Sequence, residues 1–225
     1  MAGNRASVWL YSHSSMENIA RELEIRCSST QCVTDEYEIR RQAYERQLSD
    51  KARRKVEFKK TIEWKKFNDG FPNLFIRDVK DMAGKDVIFL ASFHSPEVIF
   101  EQLSVIYAIP RYLARSFTVI LPYFPTGTME RVDHEGQIAT AKTLATLLSS
   151  IPLTARGPTQ LVIFDIHALQ ERFYFTDAVI PRLESAIPLL QREMKTLQSS
   201  DPLAVAFPDD GAFKRFHQMF PDYPP

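Results

Sequence analysis

Two cysteines, Cys27 and Cys32, are the only thiols in 225 residues. That is too few for a disulfide scaffold. Without a nearby histidine or further cysteine their spacing also makes a poor zinc site, so free thiols in a reducing cytoplasmic setting are the simplest expectation. An excess of either charge is missing as well. Lys and Arg total 28 against 28 Asp and Glu, a formal net charge of zero, so no electrostatic footprint argues for nucleic acid. No apolar run approaches the ~18 residues needed for a membrane span. The start, Met1-Ala2-Gly3-Asn4-Arg5, lacks the apolar core of a secretory signal. No internal repeat is visible. What is present is ordinary for a globular protein, 44% hydrophobic and 25% charged residues, in a chain long enough for one large domain or two small ones.

Short apolar runs alternate with amphipathic stretches. Ser7 to Ser12 reads as a strand, followed by a helix through Met16, Ile19, Ala20 and Leu23 that Ser14 or Ser15 can cap. From 28 to 60 the composition turns to Glu, Lys and Arg, which predicts a solvated, mostly helical excursion laced with charge pairs. Thr61 to Phe67 and Pro72 to Ile76 flank an Asn68-Asp69-Gly70 turn signal, predicting a hairpin. Val87 to Ala91, Phe117 to Leu121, Leu161 to Phe164 and Leu203 to Phe207 read as further strands. Helices are predicted from Ser95-Pro96-Glu97 onward, over Ile138 to Leu148, over Ser185 to Leu197 and over Ala212 to Met219. The alternation argues an α/β fold, a parallel sheet flanked by helices.

The stretch that carries chemistry is Val162-Ile163-Phe164-Asp165-Ile166-His167-Ala168. An i, i+2 spacing at a strand's end puts Asp165 and His167 on one face. In open parallel sheets ligands bind outside the carboxyl ends of the strands. A carboxylate and an imidazole there suit a divalent metal or a polyphosphate held by one. The plain alternative is a solvated strand end with a structural His–Asp hydrogen bond.

Four pieces in order carry a resemblance. They are Phe67-Asn68-Asp69-Gly70, Pro122-Tyr123-Phe124, Phe164-Asp165-Ile166-His167-Ala168 and Phe207-Pro208-Asp209-Asp210-Gly211-Ala212-Phe213-Lys214-Arg215. With them the chain resembles the ribose-phosphate pyrophosphokinases (phosphoribosyl pyrophosphate synthetases) from roughly Ile62 onward. Phe71-Pro72-Asn73-Leu74-Phe75, Phe124-Pro125-Thr126-Gly127-Thr128 and Ala168-Leu169-Gln170-Glu171-Arg172-Phe173 bring it closest to the plant-type, phosphate-independent class.

The resemblance implies a type I phosphoribosyltransferase-like fold with the hairpin in its N-terminal region. The implied domains are 1–180, a phosphoribosyltransferase-like domain carrying the charged insertion 28–60, and 181–225, the beginning of a second, incomplete one. It implies transfer of the diphosphoryl group of ATP to the 1-hydroxyl of ribose 5-phosphate, with Mg²⁺, for nucleotide biosynthesis, in a homo-oligomer or a hetero-oligomer of homologous subunits. Residue by residue, it implies that His167 contacts the ATP phosphates and their magnesium as the catalytic histidine. Asp165 becomes a metal-facing carboxylate or one that supports the metal from behind its ligands, Asp209 faces a second metal and the ribose, and Phe67 and Asp69 reach the adenine held by a neighbouring subunit. Such roles are physically coherent, because phosphoryl-type transfer needs charge neutralised on the polyphosphate and the nucleophile held in line.

Three departures stand out. Thr128-Met129-Glu130 occupies the place of an Arg-Gln-Asp nucleotide triplet, leaving Arg131 as the cation at hand for the nucleotide. Phe71 replaces a hairpin glutamate. The family's flexible catalytic loop and its 5-phosphate loop fall beyond Pro225, which implies a fragment with little turnover alone; the alternative is a non-catalytic associated subunit. His94 and His134 are candidates for the border of the nucleotide site, and Lys214 and Arg215 for a phosphate contact. His217 has no evident partner.

Overall fold

Every residue of β1 (Val8–Ser12) is buried, as expected of a strand covered on both faces. In this computed structural model β1 sits inside a six-stranded sheet with β2 (Val56–Phe58), β5 (Asp86–Leu90), β6 (Ser116–Leu121), β7 (Thr159–Phe164) and β8 (Val179–Glu184), in the order β2-β1-β5-β6-β7-β8. The ladders β2–β1, β1–β5, β5–β6 and β6–β7 are parallel. A separate antiparallel hairpin joins β3 (Ile62–Lys66) to β4 (Pro72–Ile76). The structure describes residues 7–28, 54–197 and 203–223. They fall into two compact units, Met1–Leu183 and Glu184–Pro225.

The period of two along the strands sorts the sheet's faces. Trp9, Tyr11, Val87, Phe89, Phe117, Val119, Leu121, Leu161 and Ile163 point into the main core. There they meet Leu103, Ile106 and Ile109 of α2 (Pro96–Arg111) and Ala141, Leu144 and Leu148 of α3 (Thr140–Ser149). On the opposite face Leu10 and Leu90 pack with Ala20 of α1 (Glu17–Ser28). The α2 helix starts where the sequence places it: Ser95 Oγ accepts from the Val98 amide, and Pro96 fills the first turn.

Several expectations are corrected. Of the predicted helical excursion, 29–53 lies outside the described residues. Its last part is not helical: β2 pairs with β1, and Val56 and Phe58 pack on the α1 face. An apolar residue on either side of a single glutamate is a strand's alternation, hidden in a charge-rich composition. The strand expected at Leu203 to Phe207 is irregular chain, since an apolar run makes a strand only where a neighbour takes its hydrogen bonds. The β8 strand was not anticipated, because Pro181 lowers its strand character; at the edge of a sheet a proline is tolerated. Ahead of α1, the first turn is capped by His13 rather than by a serine, with Nδ1 accepting from the Ser15 amide.

The hairpin is seated at its base. Tyr11 and Thr61 both donate to Asp78 Oδ1, at 2.9 and 2.7 Å. Burial, with the Asp78 carboxylate alongside, raises the Tyr11 phenol far above its ordinary range. Ile76 is buried, while Ile62, Trp64 and Leu74 pack against the main core. At the amino-terminal edge of the sheet the buried Asp86 takes donors from Arg54, Arg115 and Ser116. One carboxylate thereby ties the segment before β2 to the start of β6.

Candidate functional site

The carboxyl ends of the parallel strands gather the polar residues, as the rule for open α/β sheets requires. The β7 strand stops at Phe164 because Asp165 turns into the left-handed region, φ +47°. That conformation is tolerated by Asp through local hydrogen bonding. Asp165 and His167 are both exposed, and Ile166 between them is buried in the main core. The two polar side chains thus share the solvent side, although the strand itself has ended. Just beyond, the Glu171 carboxylate accepts from the Ala168 amide at 2.8 Å and is almost wholly buried, which pins the start of a 3-10 turn over Leu169–Tyr174.

The loop after β6 lies directly against this segment. A Cβ placed on Gly127 would come within 3.1 Å of His167 Cβ and 3.7 Å of Glu171 Oε1. Thr126 before it takes φ +64°, and the Met129 amide donates back to the Thr126 carbonyl. The loop is held by Phe124, buried and edge-on to Phe175 at 6.2 Å, and by Tyr174, whose hydroxyl donates to the Glu130 carbonyl. Lys142 closes the same corner by donating to the Tyr174 carbonyl at 2.9 Å. Glu130 is buried. Arg131 is exposed and leans on two carboxylates, Asp133 at 3.1 Å and Glu130 at 3.9 Å. Its charge is therefore already shared with neighbours in this chain.

A second polar group lines the ends of β1 and β5. His13 follows β1, and its ring lies 5.0 Å from Trp64 of the hairpin and 5.9 Å from His94. His94 shares a hydrogen bond with Ser92, whose backbone is clamped from both sides by the Gln102 amide. Burial lowers the His13 pKa and the His94 ring pushes the same way, with the nearby Glu101 opposing them. Lys66 of the hairpin pairs with that buried Glu101 at 3.2 Å. Sequence reasoning passed over His13. Its only signal is its position, directly after a strand that reads as fully buried.

The hairpin turn matches its sequence signal. Gly70 takes φ +88°, its amide donates to the Phe67 carbonyl, and Asp69 Oδ1 accepts from the Phe71 amide. Phe67 and Asp69 are exposed at this tip. The hairpin's contacts run through Trp64 to His13 and through Lys66 to Glu101, over β1 and α2. Asp165 and His167 follow β7, which β5 and β6 separate from β1, roughly 14 Å at ordinary strand spacing. Within one chain, the hairpin is anchored away from the β7 end.

Asp209 lies in the second unit. Its Oδ1 caps α5 (Asp210–Phe216) by accepting from the Ala212 amide at 2.7 Å. In the same unit, α4 (Ile187–Thr196) is tied by Gln191 to the Met219 carbonyl. Lys214 pairs with Asp210 at 2.5 Å, and Arg215 lies 4.7 Å from the Phe216 ring. His217 does have partners, the Phe213 ring stacked at 4.6 Å and the Phe213 carbonyl. Among the described residues no three His, Cys, Asp or Glu side chains come together as a metal cage. The donors present are exposed single carboxylates, a set that fits Mg²⁺, which keeps waters and substrate phosphates as most of its shell. Imidazole is the poorer donor for that ion, so His167 fits a phosphate contact better than a metal bond.

Comparison with known proteins identifies the family and the fold. The family profile described as the N-terminal domain of ribose phosphate pyrophosphokinase matches residues 12–151. Ribose-phosphate pyrophosphokinase 3, chloroplastic, of Arabidopsis thaliana is 60% identical over 165 residues, 73% of this chain and 40% of that protein. Ribose-phosphate pyrophosphokinase 4 of the same plant is 56% identical over 164 residues, 73% of this chain and 49% of that one. The chain thus spans less than half the length of these two relatives. The solved structure of phosphoribosylpyrophosphate synthetase from Mycobacterium smegmatis superposes with a TM-score of 0.69 at 18% identity, over 97% of this chain and 62% of that one. At that identity the likeness is one of fold.

The cytoplasmic expectation is overturned by the same comparison. The relatives at 58–60% identity are named chloroplastic in Arabidopsis thaliana and Oryza sativa and mitochondrial in Spinacia oleracea. Lack of a secretory apolar core bears only on export, because organellar leaders are amphipathic and basic rather than apolar. No described helix is long and apolar enough to cross a membrane.

Proposed function

The chain belongs to the ribose phosphate pyrophosphokinase family, and we propose that it forms the nucleotide-side part of a Mg²⁺-dependent ribose-phosphate diphosphokinase. That enzyme moves the diphosphoryl group of ATP to the 1-hydroxyl of ribose 5-phosphate. The observation that carries the reading is the β7 end, where Asp165 and His167 are exposed together above a buried Ile166 and against the Gly127 loop. His167 donates to the polyphosphate, and Asp165 supplies a hard oxygen for the magnesium that neutralises it. Asp209 keeps Oδ2 beyond its capping bond for a second metal-facing role. Phe67 offers an exposed ring on which a flat base can stack, with Asp69 holding the turn beneath it, for a nucleotide bound by a neighbouring subunit. Arg131 is the cation nearest to the missing nucleotide triplet.

A second reading is favoured by one observation. Glu130 is buried and Arg131 already faces two carboxylates, so the loop offers little to a nucleotide. On that reading the chain is a non-catalytic subunit assembled with homologous chains. AMP formation from ATP, Mg²⁺ and ribose 5-phosphate separates the two. The measurement uses this chain and a chimera completed with the remaining length of the 60%-identical Arabidopsis relative. The enzyme reading expects activity in the chimera and its loss, by at least ~10²-fold, in His167→Ala. A chimera that is inactive, or indifferent to His167→Ala, withdraws it.

A further inference from the structure

One side of β3 changes character residue by residue. Ile62, Trp64 and Lys66 follow the strand's period of two and share that side. Ile62 and Trp64 pack against the main core, and the Trp64 ring also meets His13 edge-on at 5.0 Å. Lys66, which ends the row, reaches Glu101 of α2 at 3.2 Å. Glu101 is only 6% exposed. A carboxylate at such a position is costly unless a cation answers it, and among the described residues Lys66 is the cation that pairs with it. The next residue of α2, Gln102, holds the Ser92 backbone and the Val98 carbonyl, so the stretch that carries Glu101 is itself fixed.

Beyond Lys66 the hairpin leaves the body. The tip, Phe67 to Phe71, is exposed throughout. Its hydrogen bonds stay within itself: the Phe67 amide donates to the Phe71 carbonyl, the Gly70 amide to the Phe67 carbonyl and the Phe71 amide to Asp69. The pair of Lys66 with Glu101 is therefore the last polar tie between body and tip among the described residues. Behind it, the nearest core-packed residues of the hairpin are Trp64 and Leu74, which face each other in the ladder. From Trp64 to Phe67 is roughly 10 Å at ordinary strand rise. A tilt of about 6° over that length moves the tip by ~1 Å, a displacement at which positioning already fails.

We propose that Glu101 is a positioning residue for the nucleotide: through Lys66 it fixes the tip in the pose from which Phe67 and Asp69 meet the base. That role rests on the reading above, in which the exposed tip contacts the nucleotide of a neighbouring subunit. In ATP the base is separated from the breaking bond by the ribose and the α-phosphate. Contact with the base is therefore equal in the ground and transition states, and its loss appears in KM and not in kcat. An ion pair that only stabilised the fold would change neither.

Steady-state kinetics on the chimera and backbone ¹⁵N relaxation on this chain test it. Loss of a base–aromatic stack costs about 5- to 150-fold in binding. Glu101→Gln and Lys66→Met loosen the stack without removing it, and are expected to raise KM for ATP roughly 10-fold with kcat within about 2-fold of wild type. Lys66→Arg keeps the cation and is expected to keep the wild-type KM. Lys66 is exposed, so its variants fold even where Glu101→Gln does not. In this chain alone, order parameters of the Asn68 to Phe71 amides are expected to fall below about 0.6 in Glu101→Gln and Lys66→Met, and to stay near about 0.85 in the wild type and Lys66→Arg. An active chimera whose KM ignores both loosening variants overturns the proposal. So does a loss of kcat at unchanged KM, which would put Glu101 in the chemistry, or a tip as mobile in the wild type as in Lys66→Met. An inactive wild-type chimera instead withdraws the enzyme reading, and with it the nucleotide role, while the amides still decide whether Glu101 holds the tip.

Discussion

Gly127→Ala tests whether the β6 loop positions His167. The added methyl would sit 3.1 Å from His167 Cβ, 3.5 Å from the Phe124 carbonyl oxygen and 3.7 Å from Glu171 Oε1. Carbon atoms pack best at about 3.5–4.0 Å, so something must give by roughly 0.4 Å. His167 Cβ cannot yield as the end of a flexible chain can. It hangs on backbone fixed on one side by buried Ile166 and on the other by the bond from the Ala168 amide to Glu171. The Phe124 carbonyl is backbone too, beside a buried ring. Overpacking of this kind costs about 1–3 kcal/mol, and we expect a value near 1.5 kcal/mol from urea denaturation. The imidazole resonance of His167, one of five histidines and assigned by its loss in His167→Gln, should move while that of His217 stays. A variant as stable as the wild type, with the His167 resonance unmoved, would refute the claim that these two segments are locked together.

Two further outcomes follow from the fold. Asp86→Asn keeps the shape of the side chain but removes the charge that Arg54 and Arg115 share, leaving two cations around a neutral amide at a buried position. Because both arginines keep partial solvent contact, we expect a loss of about 2–3 kcal/mol by urea denaturation, and a loss under about 0.5 kcal/mol would show that the cluster is only decorative. His13 is depressed in the fold, so between its folded pKa and the ordinary value of 6.5 the unfolded chain binds more protons. Stability is then complete above about pH 6.5 and declines as pH falls through that window, with a slope from this group of at most about 1.4 kcal/mol per pH unit. The pH dependence of stability in His13→Gln should be flatter there than in the wild type, and an unchanged profile would remove His13 as its source.

Local sequence was enough for much of this protein. The hairpin turn declared itself through Asn68-Asp69-Gly70, because few residues other than glycine accept the φ that Gly70 adopts. Helix α2 was visible from Ser95 and Pro96, since a cap and a first-turn proline act within one turn. The β5, β6 and β7 strands were visible as apolar runs, and the family motif at Asp165 and His167 stood at the end of one of them. Composition hid β2, and Pro181 hid β8, since both are strands only by virtue of the neighbour that receives their hydrogen bonds. The run Leu203 to Phe207 erred the other way, with strand-like residues and no ladder. Tertiary structure alone brought Gly127 against His167, set Trp64 of the hairpin on His13, and tied Lys66 to Glu101. Those juxtapositions join residues distant in the chain, and only the order of strands in the sheet decides which of them meet.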